Sequence, residues 1–215
     1  MGKRVAAGLV AALIPVLIAL PSPAHADDCP DVELVFARGT GEPPGVGRVG
    51  QALADTLAPM LGARRLSVYP VNYPASINFF TTGIGATDAQ AHLFAVAVAC
   101  PATKFVLGGF SQGAAVMSML AGVPPLGPTV GNFGSAPPLA PEAADQISAV
   151  AVFGNPGNRF GTPLSTTGQF AGKAIDLCAP GDPICVVGGR DRTAHNGYEF
   201  PPYVTDAAAF VAAFL

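Results

Sequence analysis

The chain has few charged residues, and positive charge is particularly scarce. Only 12% of the 215 residues are charged, and 11 Lys and Arg against 14 Asp and Glu give a formal net charge of -3. These cations are too few to build a basic face for nucleic-acid phosphates or an anionic membrane surface. Half of the residues are hydrophobic, which excludes intrinsic disorder, and the 26 Gly and 22 Pro follow no fixed period, which excludes a collagen-like chain. The length favours one globular domain.

Long apolar runs are lacking except near the amino terminus. Lys3 and Arg4 precede an apolar stretch over residues 5–20, and small residues follow up to Ala26. This order is typical of a secretory signal peptide that is cleaved after Ala26. The stretch is shorter than the ~20 residues that a membrane-spanning helix needs, and Pro15 interrupts it, which argues against an anchor.

The predicted signal peptide divides the chain into a segment that is removed and a domain that is exported. We expect residues 1–26 to be a signal peptide and residues 27–215 to form a single secreted domain, either extracellular or associated with the cell wall. No later segment approaches ~18 consecutive apolar residues without a charge or a proline, so we expect no membrane span. We also expect a monomer that binds no nucleic acid.

The four cysteines indicate disulfides rather than a metal site. They are Cys29, Cys100, Cys178 and Cys185. An even number of cysteines in an exported chain most simply forms disulfides, although the sequence alone allows three pairings. No two cysteines have the short spacing that structural zinc favours, and histidine is scarce, so we expect no metal.

Apolar runs alternate with helical patterns along the chain. Strands are predicted over residues 32–37, 66–69, 104–107, 146–153 and 173–177. Helices are predicted over residues 49–61 with an early end at Pro59, from caps at Thr87 and Asp88 to Cys100, over 114–121 and over 204–215. This alternation predicts an α/β fold with a mainly parallel sheet of about five strands, helices on both faces and right-handed crossovers. Long loops are predicted over residues 123–141 and 155–172.

One short motif predicts a nucleophile. Residues 109–113, Gly-Phe-Ser-Gln-Gly, match G-x-S-x-G, the sharp strand-to-helix turn that raises a serine oxygen above a sheet. Glycine at both outer positions lets the strand and the helix pack closely. A chance match is the alternative, but the motif lies between an apolar strand and a helix-forming stretch, as the turn requires. Ser111 is therefore the candidate nucleophile.

A serine hydroxyl needs a base to take its proton, and two histidines follow the predicted signal peptide. His92 precedes the serine among Ala and Leu residues, so we expect it to be a packed helix residue. His195 follows the serine in a polar segment ahead of the last helix. In α/β-hydrolase sheets the acid and the base follow the serine in that order, which favours His195 as the base.

The acid is then expected between Ser111 and His195. The carboxylates there are Glu142, Asp145, Asp176, Asp182 and Asp191. Asp182 lies between Cys178 and Cys185, whose disulfide would hold it rigidly, as a carboxylate that orients a histidine requires. Asp191 is the alternative, although for it we favour a solvated ion pair with a neighbouring arginine.

An oxyanion formed by attack on an ester needs preorganised donors. The backbone N–H of Gln112, at the start of the helix after the serine, is one candidate, and the helix dipole adds to its effect. The second donor is expected from the Gly-rich loop after the first strand, residues 38–42. An ordinary turn is the alternative for that loop.

Together these segments resemble the cutinases, particularly the secreted cutinase-like proteins of actinobacteria. The resemblance covers residues 27–215 nearly end to end and rests on residues 37–42, 109–114, 176–185, 194–195 and Tyr198. It implies a small, lidless α/β hydrolase that needs no cofactor and acts on an ester or lipid substrate. The implied triad is Ser111, Asp182 and His195, the implied oxyanion hole is Thr40 and Gln112, and the implied disulfides are Cys29 with Cys100 and Cys178 with Cys185.

One segment departs from the fungal cutinases, which carry an apolar stretch just ahead of the histidine that helps them settle on polyester surfaces. Residues 186–193 contain charged residues instead. We therefore predict a serine esterase for dispersed esters of short-to-medium acyl chains, with polymeric cutin a poor substrate. Phospholipases and acyltransferases share the same acyl-enzyme, so the sequence does not separate them from a plain esterase. Residues 78–80, Asn-Phe-Phe, are a hypothesis for the acyl pocket, with core packing as the alternative.

A second class of function stays open, that of a secreted cell-envelope or lipid-binding protein that keeps the hydrolase scaffold without turnover. The intact set of serine, aspartate and histidine favours the enzyme, because a scaffold without turnover has no physical need for all three.

Overall fold

Five strands form one sheet in the computed structural model, which describes residue 2 and residues 29–127 and 134–215. The strands are β1 (Val32–Ala37), β2 (Leu66–Pro70), β3 (Lys104–Phe110), β4 (Ile147–Phe153) and β5 (Ala174–Leu177). Their order across the sheet is β2-β1-β3-β4-β5, and every neighbouring pair is parallel. The predicted α/β fold is confirmed. Apart from Gly2, the predicted signal peptide lies outside the described residues.

Helices cover both faces of this sheet. Those in the described residues are α1 (Gly47–Leu57), α2 (Thr82–Ala99), α3 (Gln112–Leu120), α4 (Pro141–Asp145), α5 (Pro156–Arg159) and α6 (Tyr203–Ala212). Apolar residues of α1 and α6 join one core cluster, and those of α2 and α3 join the other. Helix α1 ends just before a 3₁₀ turn that contains Pro59, as predicted. Over residues 29–127 and 134–215, no helix combines the length and the apolar character needed to cross a membrane.

Strand β1 separates the two halves of the core. Val32, Leu34 and Phe36 belong to the cluster of α1 and α6, whereas Val35 and Ala37 belong to the cluster of α2 and α3. Successive side chains of a strand point to opposite faces, so a strand inside a sheet that is covered on both sides must be apolar on both sides. This is why the sequence of β1 is an almost continuous apolar run.

Glu33 is the polar residue within β1, and it is the partner of His92. The buried Glu33 carboxylate lies 3.1 Å from His92 Nε2, and the imidazole stacks on the Tyr69 ring with 3.4 Å between ring centroids. His92 is thus a packed residue of α2, in agreement with the prediction.

Strand β3 is longer than predicted. The prediction ended it at residue 107, and the next two residues, Gly108 and Gly109, have low strand propensity. Both glycines nevertheless pair with β1, where Gly108 lies opposite Phe36. A Cβ atom at Gly108 would overlap the Phe36 ring, so only glycine lets the two strands approach here. The strand therefore reaches Phe110, and α3 begins at Gln112.

Helix α2 begins at Thr82, more than one turn before the caps predicted at Thr87 and Asp88, so that prediction is wrong. Asp88 lies inside the helix instead. Its carboxylate accepts hydrogen bonds from Tyr69 Oη at 3.0 Å and from the Asn72 backbone N–H at 2.8 Å. The short polar side chain thus connects α2 to the end of β2 rather than capping the helix.

Gly83 and Gly85 lie in the first turns of α2, where glycine has low helix propensity. A Cβ atom at Gly83 would lie 2.8 Å from the carbonyl oxygen of Ser135, and one at Gly85 would lie 3.0 Å from the Val116 side chain. The low helix propensity of glycine is therefore outweighed by the close approach that it allows between α2 and its neighbours. A second difference is α5, a single helical turn within the predicted loop 155–172.

Both disulfides form with the pairing that the resemblance implied. Cys29 pairs with Cys100 and Cys178 with Cys185, with Cα–Cα distances of 5.5 and 5.9 Å. The first joins the segment before β1 to the end of α2, and the second closes the loop after β5. In the chain-entropy model they stabilise the fold by up to about 4.5 and about 2.5 kcal/mol.

Candidate active site

Ser111 lies at a strained turn between β3 and α3. Its φ of 54° falls in the left-handed region that side-chain-bearing residues rarely adopt. A Cβ atom at Gly113 would overlap the carbonyl oxygen of Ala37, and one at Gly109 would overlap the backbone of Gly113. The turn therefore requires glycine at both outer positions of the motif. It leaves Ser111 at the carboxyl end of β3, the edge where the following loops converge.

Ser111, His195 and Asp182 form a continuous row of hydrogen bonds. His195 Nε2 lies 2.9 Å from Ser111 Oγ, and His195 Nδ1 lies 2.8 Å from Asp182 Oδ2. An ionised carboxylate can only accept, so Nδ1 carries the proton in the neutral ring and Nε2 is free to accept from the serine. Gly154, at the end of β4, makes room for the ring, since a Cβ atom there would lie 2.8 Å from His195 Cε1.

Asp182 is fully buried yet surrounded by donors. Besides His195, its carboxylate accepts from Tyr198 Oη at 2.5 Å and from the Ile184 backbone N–H at 2.7 Å. Burial raises the pKa of Asp182, but the hydrogen bonds from His195, Tyr198 and Ile184 outweigh it and leave the pKa below its ordinary value. Asp182 therefore stays ionised beside His195.

Tyr198 is the main contributor that the motifs did not assign a role. It is completely buried, and its hydroxyl accepts from the Ala179 backbone N–H at 2.9 Å while donating to Asp182. Burial and the bond to Asp182 raise the pKa of Tyr198, so the hydroxyl keeps its proton. The sequence signal was only its position shortly after His195, and nothing in that spacing indicates that the hydroxyl reaches Asp182.

The side chains of Thr40 and Gln112 are hydrogen-bonded to each other, and both residues line a cavity with Ser111. Thr40 Oγ1 donates to Gln112 Oε1 at 2.9 Å, and Gln112 Nε2 donates to Thr82 Oγ1 at 3.0 Å. The backbone N–H groups of Thr40 and Gln112 have no acceptor within the described part of the chain.

The loop that carries Thr40 is held by hydrogen bonds, one of them to the side chain of Glu42 in the same loop. Glu42 Oε2 accepts from the Gly39 N–H at 2.6 Å, and the Gly41 N–H donates to the Ala75 carbonyl at 2.7 Å. The buried Arg38 adds a hydrogen bond of 2.7 Å to the Tyr73 carbonyl. Hydrogen bonds from Gly39, Gly41 and Arg38 therefore connect this loop to Glu42 and to the segment that contains Tyr73 and Ala75.

Two cavities include Ser111 and Thr40 in their linings. One, of about 390 Å³, is mostly apolar and is lined by Thr40, Phe79, Ser111, Gln112, Leu126, Pro156, Arg159, Phe160, Pro183 and Ile184. The other, of about 320 Å³, is called the polar cavity here because most of its lining residues are polar or charged, although polar and apolar atoms share its surface about equally. It is lined by Thr40, Gly41, Glu42, Arg48, Phe110, Ser111, His195 and Asn196. Of the two phenylalanines in the acyl-pocket hypothesis, Phe79 lines the apolar cavity, whereas Phe80 does not and is 64% exposed.

The sequence model of the cutinase family matches residues 28–215. The chain belongs to the cutinase family. Carboxylic-ester hydrolysis is the chemistry that this membership assigns to it.

Named relatives cover most of this cutinase. It is 50% identical over 211 residues to the probable carboxylesterase Culp3 of Mycobacterium tuberculosis, across 95% of this chain and 78% of that protein. It is 49% identical over 209 residues to the phospholipase Culp4 of the same organism, across 97% and 88%. A solved structure of Trichoderma reesei cutinase with a phosphonate inhibitor matches with a TM-score of 0.67 and 33% identity, across 86% of this chain and 77% of that one.

The other carboxylates that were candidates for the acid lie apart from His195 in this cutinase. Asp176 accepts from Asn155 Nδ2 and from the Ser165 N–H, both at 2.8 Å. Glu142 and Asp145 belong to α4. Neither set contacts the imidazole.

Asp191, the alternative acid, has a different partner from the one expected. Its carboxylate accepts from the Thr193 N–H at 2.8 Å and from the Ala194 N–H at 3.3 Å, at the start of the 3₁₀ turn that carries His195. Within the described residues it forms no ion pair with an arginine, so that prediction is wrong. Backbone amides adjacent in sequence satisfy the carboxylate at a lower entropic cost than a long arginine side chain would.

The described part of this cutinase contains no group of three or more His, Cys, Asp or Glu side chains arranged to hold a metal ion. His92 and Glu33 satisfy each other inside the fold, and the cysteines are in disulfides.

Proposed function

We propose that this chain is a secreted serine esterase in which Ser111 is the nucleophile, His195 the general base and acid, and Asp182 the carboxylate that orients the imidazole. One observation carries the assignment. Hydrogen bonds of 2.9 and 2.8 Å connect the three side chains in the order that proton transfer needs, although they come from three distant segments.

The geometry supports the usual two-stage chemistry of an acyl-enzyme. His195 Nε2 takes the proton of Ser111 as the oxygen attacks the ester carbonyl, and the negative charge that forms on the carbonyl oxygen is met by the N–H groups of Thr40 and Gln112. His195 then gives the proton to the departing alcohol, and the ester C–O bond breaks. Water repeats the sequence to release the acid and restore Ser111.

The apolar cavity is suited to the acyl chain. Apolar side chains such as Phe79, Phe160 and Ile184 line it next to Ser111, and burial of acyl methylenes there is favourable by about 0.8 kcal/mol each. We infer dispersed esters of short-to-medium chain length as substrates. Relatives named carboxylesterase and phospholipase are consistent with an acyl ester as the reacting group.

Polymeric cutin is proposed to be a poor substrate, because the segment ahead of His195 carries Arg190, Asp191 and Arg192 at the surface. Charged side chains lose hydration on contact with an apolar polymer. Release of monomers from cutin at a rate comparable with that of soluble esters would overturn this part of the proposal.

A fluorophosphonate probe tests the proposed nucleophile. We expect one probe per chain, attached to Ser111 in a tryptic digest, and no labelling of Ser111→Ala. The Ser118→Ala variant is a matched control, because Ser118 is buried in α3 and donates to the Ala114 carbonyl. A wild-type protein that folds but neither reacts with the probe nor hydrolyses soluble esters would favour the scaffold without turnover.

The proposed base predicts the direction of the pH dependence. The rate of ester hydrolysis falls on acidification because protonated His195 cannot accept the serine proton. A rate that stays flat from about pH 8 to about pH 4.5 would contradict the role of His195.

Secretion is part of the same proposal. We infer that residues 1–26 are removed on export, and the two disulfides support export because they persist in oxidising compartments. We also infer that residues 27–215 act as a monomer. N-terminal sequencing of protein collected from the culture medium should begin at Asp27, and size-exclusion chromatography should give the mass of one chain.

A further inference from the structure

The two cavities beside Ser111 are not equivalent for catalysis. Ser111 and Thr40 line both, but His195 lines only the polar one. A general acid must lie within hydrogen-bond reach of the oxygen that it protonates, which here is the oxygen of the departing alcohol. The alcohol part of the ester therefore extends into the polar cavity while the acyl part occupies the apolar one.

Arg48 and Glu42 line the polar cavity, and Glu199, outside its lining, pairs with Arg48. Arg48 NH1 lies 2.5 Å from Glu199 Oε2, and Arg48 Nε lies 3.5 Å from Glu42 Oε1. The guanidinium also lies over the Phe110 ring, 4.9 Å from its centroid. The three charged groups together carry a net charge of about one negative unit beside the site of the departing alcohol.

The arginine has little capacity left for an anionic ligand. Its NH1 group donates to the Asn196 carbonyl at 2.7 Å as well as to Glu199, and its NH2 group points to Asn196 Oδ1 at 3.4 Å. Two-pronged recognition of a phosphate needs a guanidinium edge with both of its N–H groups free. Arg48 presents no such edge, because two protein acceptors occupy its NH1 group and the Glu42 carboxylate faces its Nε at 3.5 Å.

Other charged groups near His195 do not line this cavity. Asp191 is engaged with the Thr193 and Ala194 N–H groups, and the Arg192 side chain is exposed to solvent. Exposed charges are screened over roughly 8 to 10 Å at moderate salt. The ionised Asp182 behind His195 adds one further negative charge. The balance among Arg48, Glu42 and Glu199 is the part of the local potential that the variants below change.

We propose that the polar cavity is a subsite for the leaving alcohol that accepts neutral, hydroxyl-bearing alcohols such as glycerol and disfavours alcohols that carry a phosphate. A hydroxyl group can donate to a carboxylate oxygen and accept from an amide, whereas a phosphate only accepts and is repelled by the excess negative charge. The subsite deepens the proposed esterase function and rests on it.

The test compares two soluble esters that share one acyl chain, monohexanoylglycerol and hexanoyl glycerol phosphate. At low salt the wild-type kcat/KM for the neutral ester should exceed that for the anionic ester by about tenfold or more. Glu199→Gln keeps an oxygen for Arg48 but removes one negative charge, so it should narrow the ratio by about fivefold. Arg48→Gln should widen the ratio, because it leaves both carboxylates uncompensated.

Asp55→Asn is the matched control. Asp55 is an exposed residue two turns after Arg48 on the same helix and contacts Gln51, so this variant loses the same charge without changing the cavity. Its ratio should equal that of the wild type. For the wild type, raising the ionic strength from about 0.02 to about 0.5 M should reduce the ratio, since added salt screens the repulsion. This measurement needs no variant and is unaffected by folding defects.

The outcomes separate the two proposals. A ratio near one, a preference for the phosphate ester, or an unchanged ratio in Glu199→Gln would overturn the alcohol subsite while leaving the esterase intact. No hydrolysis of either ester, together with no fluorophosphonate labelling, would overturn the esterase itself. Hydrolysis of the hexanoate ester of p-nitrophenol should stay within about twofold of wild type in the Asp55→Asn control, because Asp55 is exposed and contacts Gln51 rather than the cavity.

Discussion

Tyr198 Oη donates to Oδ2 of Asp182 at 2.5 Å, the same oxygen that lies 2.8 Å from His195 Nδ1. Asp182 has no exposed surface, so its charge is stabilised by protein donors alone. The tyrosine ring also contacts the imidazole edge to face, with 6.1 Å between ring centroids. Tyr198 is thus a positioning residue that acts on the reaction through Asp182 and His195.

The Tyr198→Phe variant should remain folded but lose activity. We expect kcat to fall about tenfold with KM nearly unchanged, because the carboxylate loses one of the bonds that fix its position. Unfolding in urea should show a loss of about 1.5 to 3 kcal/mol, the range for a hydrogen bond to a charged group. Tyr203→Phe is the control, because Tyr203 packs on Tyr198 and its hydroxyl makes no hydrogen bond within the described residues. An equal loss of kcat in both variants would contradict the role of the Tyr198 hydroxyl.

The same variant should show a characteristic dependence of stability on pH. The folded-state pKa of Asp182 lies below its ordinary value of 3.8, so Asp182 contributes stability above that value and loses it as pH falls through the lowered pKa. Tyr198→Phe removes one donor and raises that pKa. The difference in unfolding free energy between wild type and variant should therefore be full near neutral pH and shrink below about pH 4. Urea titrations across this range measure it, and a difference independent of pH would count against the ionised Asp182.

Two isosteric substitutions distinguish the candidate acids. Asp182→Asn should lower kcat by about 10⁴-fold, because an asparagine can hold His195 in the wrong tautomer. Asp191→Asn should lower it by less than about tenfold, because Asp191 contacts backbone N–H groups rather than the imidazole. Steady-state kinetics with a soluble p-nitrophenyl ester decides between them, and a larger loss for Asp191→Asn would reverse the assignment.

The Thr40 hydroxyl is expected to position the oxyanion loop. Thr40→Val removes its bond to Gln112 but keeps the backbone N–H, so kcat should fall about tenfold, less than the ~10² to 10³ that loss of an oxyanion donor costs. Thr40→Ser should restore activity to within about twofold of wild type, since its hydroxyl can donate to the same oxygen. Failure of the serine variant to restore kcat would show that packing of the methyl group, not the hydrogen bond, is what matters.

The apolar cavity should set acyl-chain length. Ile184→Phe adds volume inside the cavity while the backbone N–H that holds Asp182 is retained. We expect kcat/KM for octanoate esters to fall at least about tenfold relative to acetate esters, since each lost methylene contact is worth roughly 1 kcal/mol. A parallel loss for all chain lengths would indicate damage to the triad instead.

The hydrophobic pattern of the sequence predicted the strands and helices in which the position of each apolar residue follows from its burial. The apolar run of β1 and the periodic apolar positions of α1 and α6 report burial directly, so their existence and type were confirmed. The first turns of α2 and the end of β3 were missed because Gly83, Gly85, Gly108 and Gly109 have weak propensities. Each of these glycines allows a close contact with another part of the fold, and the neighbouring sequence does not reveal such a contact.

What the chain determined by itself is the order of its chemistry: a serine on a strand-to-helix turn, then a carboxylate between two cysteines, then a histidine ahead of the last helix. Only the tertiary structure decided that Asp182 rather than Asp191 touches His195, that Tyr198 shares the carboxylate, and that Arg48 is bound by two glutamates beside the nucleophile. The physical reason is the distance along the chain over which each effect acts. Propensity and periodicity act between near neighbours in sequence, whereas a hydrogen bond or an ion pair depends on distances of a few ångströms that are set when the sheet and its helices pack.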